Sequence, residues 1–366
     1  MKFKIYKLKF TSPLHIGRSS IDDYSKSEEF IHSDTLKSAI FSTALVLNPE
    51  LNNPERGKKF FNSFLVSSTF PFYKDYLFLP KPKGKLPLTD IQNKEPSYDF
   101  KKKVKKVSFI DFDLFFNFFN NKNQELNFKD DFEIVSNFIV KKKFAEEIDL
   151  FLNSNQKNDK GVINFTIVKS SLQERVYIRK TDETYEKSEK KYIYSDPYIV
   201  DRINFIKDSG LYFFLETKDE FDINIFEKIL NHLGDFGIGT DRNVGNGQFI
   251  IDEILDKEII FDSKADYLMS LSLFLPSEKD VQNFTEKCQY KLIKRGGWIS
   301  NHIDLNLLKR SQIKKSIYMI DEASVFENNC TLEGTIVDLS PDDNTLNHPV
   351  WRDGRPIFLP INNINV

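Results

Sequence analysis

One stretch constrains this chain more than any other: GDFGIGTDRNVGNGQFI, which runs from Gly234 to Ile250 and carries glycines at Gly234, Gly237, Gly239, Gly245 and Gly247. Before it, Ile225, Phe226, Ile229, Leu230 and Leu233 fall on one side of a helix that Asp222 can cap. After it, Phe249 to Ile251 reads as a strand. Helix, glycine loop, strand is the reverse of the order a dinucleotide fingerprint requires, and no Lys-Ser or Lys-Thr follows a glycine at P-loop spacing. Both nucleotide-cofactor motifs are therefore excluded. What remains is a loop that repeatedly needs positive φ or close backbone approach. It has two readings: outward N–H groups with Arg242 meet phosphates, or the glycines only solve a tight connection.

The elements around the loop suggest α/β or α+β architecture. In the opening MKFKIYKLKF, Phe3 and Ile5 share one phase while Tyr6, Leu8 and Phe10 share the other, which predicts a bulge or a strand buried on both faces. Residues 18–30 are polar and read as a loop. A helix fits Ser33 to Leu47, with Ser33 as cap, Asp34 in the first turn, and Leu36, Ile40, Ala44 and Leu47 as its apolar stripe. Residues 161–215 are rich in strand material, whereas 111–160 show only weak helical phasing around Phe132 to Phe144. Past the charged junction DEILDKEIIFDSKAD, Met269, Leu271, Leu273 and Leu275 alternate, which places a domain boundary near residue 260.

Charge excludes one class of function and leaves another open. Fifty-two Lys and Arg against 54 Asp and Glu give a formal charge of -2, so bulk positive charge does not hold this chain to nucleic acid, though a local basic groove still can. Lys81, Lys83 and Lys85 alternate through a Pro-Gly turn, and KKKVKK supplies Lys101, Lys102, Lys103, Lys105 and Lys106. Such runs are either phosphate contacts or solvated surface. RVYIRK, with Tyr185, Tyr192, Tyr194 and Tyr198 around a polar tip, offers flat rings for bases. The expectation is an RNA-facing hairpin in residues 81–106 or in 171–200.

Chemistry-bearing residues are sparse. Cys288 and Cys330, without a CxxC pair or an HExxH, exclude structural zinc on three or four cysteines, and no cofactor is implied. His15, His32 and Tyr24, with Glu28 and Asp34 nearby in sequence, could supply acid–base groups to a metal-free ribonuclease, but no spacing joins them. Trp298 and Trp351 are interface anchors or core. No run approaches the length of a membrane span, so the expectation is an intracellular, cytoplasmic protein.

Taken together, LKFTSPLHIG, SEEFIHSDTLKSAI, FLPKP, GIGTDRNVGNG with Phe249, and GTIVDL with HPVWRDGRP resemble the RAMP superfamily of CRISPR effector subunits. More narrowly they resemble the family of subunits that cap the type III-A (Csm) complex. The resemblance implies an α+β chain of two ferredoxin-like βαββαβ domains. These would be residues 1–260, with a thumb-like hairpin insertion within 85–205 and the glycine loop at 234–248, and a smaller domain at 261–366. It implies a non-catalytic subunit that holds the 5′ handle of the guide RNA (crRNA). Its neighbours would be the guide–target duplex, the large polymerase-nuclease subunit and a backbone RAMP subunit, with no membrane. Residues matching the family's motifs are His15 and Gly17, then Ser33, Asp34 and Lys37, then Gly237, Gly239, Arg242, Gly245 and Gly247. A metal-independent endoribonuclease acting on repeat RNA is the alternative, because a related family on the same fold performs that reaction.

Overall fold

The computed structural model describes residues 2–17, 24–86, 98–120, 132–152, 165–178, 195–218, 221–259, 264–299, 313–342, 346, 348–362 and 364. The opening strand β1 (Lys2–Phe10) is buried on both faces, which explains its two apolar phases. Phe3 and Ile5 enter one core and Tyr6 and Leu8 another. It leads to α1 (Ser33–Leu47) and then to α2 (Pro54–Asn62), whose first N–H groups donate to the Asn53 side chain. Short β2 (Phe64–Val66) and the aromatic pair β3 (Phe70–Tyr73) and β4 (Tyr76–Pro80) follow.

The next residues widen the sheet: α3 (Tyr98–Lys106), β5 (Phe109–Asp111), α4 (Phe112–Asn120), β6 (Phe132–Val135), β7 (Phe138–Lys141) and α5 (Lys142–Leu152). A ladder of two long strands, β8 (Val168–Ile178) and β9 (Ser195–Phe205), then precedes β10 (Ser209–Thr217), α6 (Ile223–Phe236) and β11 (Phe249–Glu258). Asp222 caps α6 as expected, accepting from the N–H groups of Asn224 and Ile225.

The large sheet has nine strands in the order β11-β1-β10-β3-β4-β5-β7-β6, with β2 also pairing β10. Its pairings are antiparallel except β5 with β7. With α1 between β1 and β2, and α6 between β10 and β11, the first part is a βαββαβ unit of the ferredoxin-like kind. The bulge read from the opening strand lies in the β1–β11 pairing, where the register shifts between Lys7 and Leu8. Leu36, Ile40 and Ala44 of α1 and Phe226, Ile229, Leu230 and Leu233 of α6 cover one face of the sheet. Fully burying a side chain of Leu or Ile size stabilises by about 1.5–3 kcal/mol, so this face is a principal source of stability.

The remaining residues form β12 (Tyr267–Ser270), α7 (Glu278–Gln282), β13 (Leu292–Arg295), β14 (Ile317–Ile320), β15 (Val325–Glu327), β16 (Ile336–Asp338), β17 (Trp351–Asp353) and β18 (Phe358–Ile361). The three-stranded sheet β15-β12-β18 repeats the central arrangement β10-β1-β11, and Gln289 adds an isolated bridge to Val325. Met269, Leu271, Val325 and Leu359 join Phe3, Ile5 and Phe214 in one apolar cluster, so this second sheet shares a core with the first. No described helix is long and apolar enough to cross a membrane.

Two expectations change here, and one choice between alternatives is narrowed. KKKVKK is helical, part of α3, and not a hairpin, because Phe100, Val104 and Val107 make a helical stripe against the core while the lysines face outward. The hairpin-like ladder is the other candidate, β8 with β9; Tyr185, Tyr192 and Tyr194 lie outside the described residues. Phe132 to Lys141 are strands and only Lys142 onward is helix, since β6 and β7 extend a sheet whose edge the local phasing could not reveal.

Candidate nucleic-acid interface

The glycine loop is laced to the chain that follows β1. Gly247 N–H donates to Pro13 O at 2.8 Å, Thr240 N–H to His15 O at 3.0 Å, and Thr11 N–H to Gln248 O at 2.9 Å. At Gly247, φ is +74° and a Cβ would stand 1.9 Å from Ile238 O; at Gly239 it would stand 2.4 Å from His15 O. Those glycines solve a tight connection. Gly245 differs: φ is +82°, yet nothing lies within 4 Å of where its Cβ would be. Close approach therefore requires glycine at Gly239 and Gly247 but not at Gly245, whose own N–H donates to Arg242 O at 3.0 Å.

Asp241 ties this loop to the long ladder. Its Oδ2 accepts from Arg175 Nη1 at 3.0 Å and lies 3.6 Å from Arg202 Nη2. His15 is buried behind the loop, its Nδ1 2.6 Å from Asp201 O.

In front of the loop opens a groove of about 940 Å³ with three walls. Gly17, Tyr24, Gly239 and Arg242 form the first. Thr35, Ser38, Ala39 and Ser42, the outward stripe of α1, form the second. Arg295, Trp298, Lys314, His348, Trp351 and Arg352 from the last hundred residues form the third. Phe41, Leu45 and Val46 of the same helix also line the groove, so cations and hydroxyls stand beside flat rings and apolar surface, a combination that suits phosphates and stacked bases of a single nucleic-acid strand.

The inner face of α1 is locked to that third wall. Asp34, fully buried, accepts from Arg295 Nε and Nη2 at 2.9 Å each and also from Arg352 Nη1. Burial opposes its ionisation, but Arg295 and Arg352 outweigh it and hold the carboxyl well below the usual carboxylate range. Lys37 donates to Asp353 and, at 2.6 Å, to Phe64 O. Burial draws its ammonium down to about 8 against the pull of Asp353. His32 pairs with Glu322 at 2.8 Å, and Ser33 Oγ accepts from Leu273 N–H at 2.9 Å. Ser33, expected as the cap, is instead the first helical residue and a bridge to the chain just after β12, while His32 holds the cap position with no side-chain bond to the helix's own N–H groups.

Of the residues singled out from the sequence, the structure brings Gly17, Tyr24, Gly239, Arg242, Trp298 and Trp351 to the groove. Gly237, Gly247 and His15 support the loop from behind, and Gly245 stands on its open side. The side chains of Ser33, Asp34 and Lys37 are engaged inside the protein, where they fix α1. Lys81 donates to Val104 O at 3.2 Å, and Lys83 pairs with Asp321 at 2.5 Å and donates to Glu322 O at 2.6 Å, so both brace the core. Lys101, Lys102, Lys103, Lys105 and Lys106 are exposed on α3 and do not line the groove. Neither His15 nor His32 lines it either.

Thr35, Ser38, Arg295, Lys314 and Arg352 were not marked as site residues by sequence reasoning. A partial signal existed in HPVWRDGRP and KRGGWIS, where Arg, Gly and Trp recur together.

Comparisons with known proteins cover most of the chain. The RAMP superfamily model matches residues 7–250, and the model described as the CRISPR Csm4 C-terminal domain matches residues 263–361. The CRISPR system Cms protein Csm4 of Methanocaldococcus jannaschii is 28% identical over 392 residues, covering 99% of this chain and 98% of that protein. A protein of the same description from Mycobacterium tuberculosis is 31% identical over 170 residues, 46% of this chain and 52% of the relative. Among solved structures, a chain of the Csm3-Csm4 subcomplex in the type III-A CRISPR-Cas interference complex shares the fold. Its TM-score is 0.61 at 21% identity, over 99% of this chain and 100% of that one. With more than half of its length matched by the first model and the remainder by a CRISPR-subunit domain, the chain belongs to the RAMP superfamily.

Proposed function

We propose that this chain is a Csm4-type structural subunit of a type III CRISPR effector complex and that its groove holds the 5′ handle of the guide RNA. The observation that carries this reading is the groove itself, where the glycine loop, the outer face of α1 and the Arg295–Lys314–Arg352 wall meet. Net charge stays slightly negative because the cations needed are gathered in one place.

In this reading residues 1–260 and 261–366 are two ferredoxin-like units, and the groove lies on their seam. Gly17, Gly239, Gly245 and Arg242 face the strand, while His15, Gly237, Gly247, Ser33, Asp34 and Lys37 set the walls. The β8–β9 ladder is the thumb that reaches toward the guide–target duplex, and the lysines of α3 add long-range attraction. Solved relatives occur as a Csm3-Csm4 subcomplex and a Csm1-Csm4 cassette. The corresponding partners here are a backbone RAMP subunit and the large polymerase-nuclease subunit.

The subunit acts without catalysis of its own. Cleavage by a metal-independent route needs a base and an acid within about 3 Å of the reacting oxygens, and His15 and His32 are instead buried in separate contacts. Co-expression with guide RNA and the partner subunits tests the reading. The 5′ handle should be protected from nuclease in the complex and exposed when Arg242→Ala and Gly245→Asn are combined. Groove variants Tyr24→Phe and His348→Ala should leave repeat-RNA processing unchanged; loss of cleavage in an assembled complex carrying either would overturn the non-enzyme assignment.

A further inference from the structure

The third wall of the groove holds more positive charge than its folding contacts use. Three cations, Arg295, Arg352 and Lys314, gather around the carboxylate of Asp34, with Glu322 and Glu28 also acting on Arg295. Asp34 accepts from both guanidinium groups, and the nearby acid Glu322 is already paired with His32 and Ser68. Arg352 lines the groove with 2% of its surface exposed, and its Nη2 has no hydrogen-bond partner among the described residues. A buried charged donor left without a partner is costly. No hydrogen bond or ion pair is formed by the Lys314 ammonium among the described residues. Asp34 on α1, Arg295 on β13 and Arg352 on β17 are the charged groups that act on Lys314, and His348 stands in the same wall.

We propose that Lys314, with Arg352 directly behind it, forms a phosphate-binding subsite that seats one phosphodiester of the strand in the groove. The proposal rests on the RNA-holding reading for its source of phosphate, but not for its chemistry. A phosphodiester presents two non-bridging oxygens and one negative charge. One oxygen meets the Lys314 ammonium, and the charge compensates the excess of the cluster. A neutral base edge would leave that excess in place. A protein carboxylate would satisfy it too, but the groove's other walls offer flat rings and hydroxyls, which suit successive nucleotides. Burial, followed by the charges of Arg352 and Arg295, draws the Lys314 ammonium down to about 7, consistent with a cation held among cations.

Two arms of one experiment separate the subsite from the reading it deepens. In the first, thermal unfolding of the full chain is followed in inorganic phosphate and in chloride at equal ionic strength. Wild type and Lys314→Arg should gain several degrees in phosphate and Lys314→Met should gain none; Lys102→Gln, on exposed α3 away from the groove, should keep the gain. No phosphate-specific gain in wild type, or an undiminished gain in Lys314→Met, overturns the subsite.

In the second arm, guide RNA carrying a single methylphosphonate is scanned along its 5′ segment. One linkage should weaken binding about tenfold in wild type and have no effect in Lys314→Met, since each tenfold change removes one contact of about 1.4 kcal/mol. A scan that is identical in the two proteins overturns the proposal for RNA. If phosphate stabilises through Lys314 while wild type binds no guide RNA, the subsite stands with a free phosphate as its ligand, and the RNA-holding reading fails.

Discussion

Helix α3 and the groove wall both concentrate positive charge, and they do so in opposite ways. On α3, five lysines stand in water along one exposed surface, while Phe100 and Val104 pack inward and Lys81 bonds the Val104 carbonyl. At the groove, Arg295, Arg352 and Lys314 come from three separate strands and loops and are held among buried partners. The first is dense in sequence and diffuse in space. The second is scattered in sequence and concentrated in space. Exposed charges a Debye length apart are screened, whereas buried ones act at nearly full strength. Local sequence density is therefore a poor guide to where positive charge acts most strongly.

The largest expected effect is on the scaffold beneath the groove. Asp34→Ala leaves two buried guanidinium groups facing each other without their carboxylate, which should destabilise the chain by about 3–5 kcal/mol in denaturant unfolding. A near-neutral result would mean that α1 is held by apolar contacts alone and would break the contrast between the two regions. Gly247→Val comes next. Its positive φ and the close approach of Ile238 O should together cost on the order of 2 kcal/mol or more. Gly245→Asn, with open space around it, should stay within about 0.5 kcal/mol and weaken RNA binding instead.

A smaller effect concerns pH. The folded-state pKa of Lys314 lies below its ordinary value, at about 7 against 10.5, so the unfolded chain binds more protons between those values. The penalty of holding Lys314 charged is fully present below pH 7 and is lost as pH rises toward 10.5. Lys314→Met should therefore raise the melting temperature of the RNA-free chain by a few degrees, roughly 2–4 °C per kcal/mol relieved, at pH 6.5 and by much less at pH 9.5. Equal gains at both pH values would show that packing, not charge, is responsible. The smallest effect belongs to α3. Changing its five lysines to glutamine should leave stability almost unchanged and only flatten the salt dependence of RNA binding. A loss of affinity larger than that of Lys314→Met would reverse the ranking of the two regions.

Much of the frame was legible in residue patterns. The two phases of β1, the Asp222 cap and the helix–glycine loop–strand order all depend on neighbours within a few residues, and all appear in the structure. The groove was legible only on its loop side. Gly239 and Arg242 belong to a single unusual segment, but Arg295, Lys314 and Arg352 meet Asp34 only because the second sheet packs against the first. Nothing local in the sequence encodes that meeting. The inward turn of Asp34 and Lys37 was hidden for the same reason, since a charged residue on a helix normally faces water.

The most direct test places a photo-crosslinking amino acid at Ser42, on the groove face of α1, or at Lys102, on α3, in complexes carrying 5′-labelled guide RNA. A groove that holds the 5′ handle predicts a strong crosslink from position 42 to the labelled end, and little or none from position 102. A crosslink from position 102 alone, in a fully assembled complex, would contradict it.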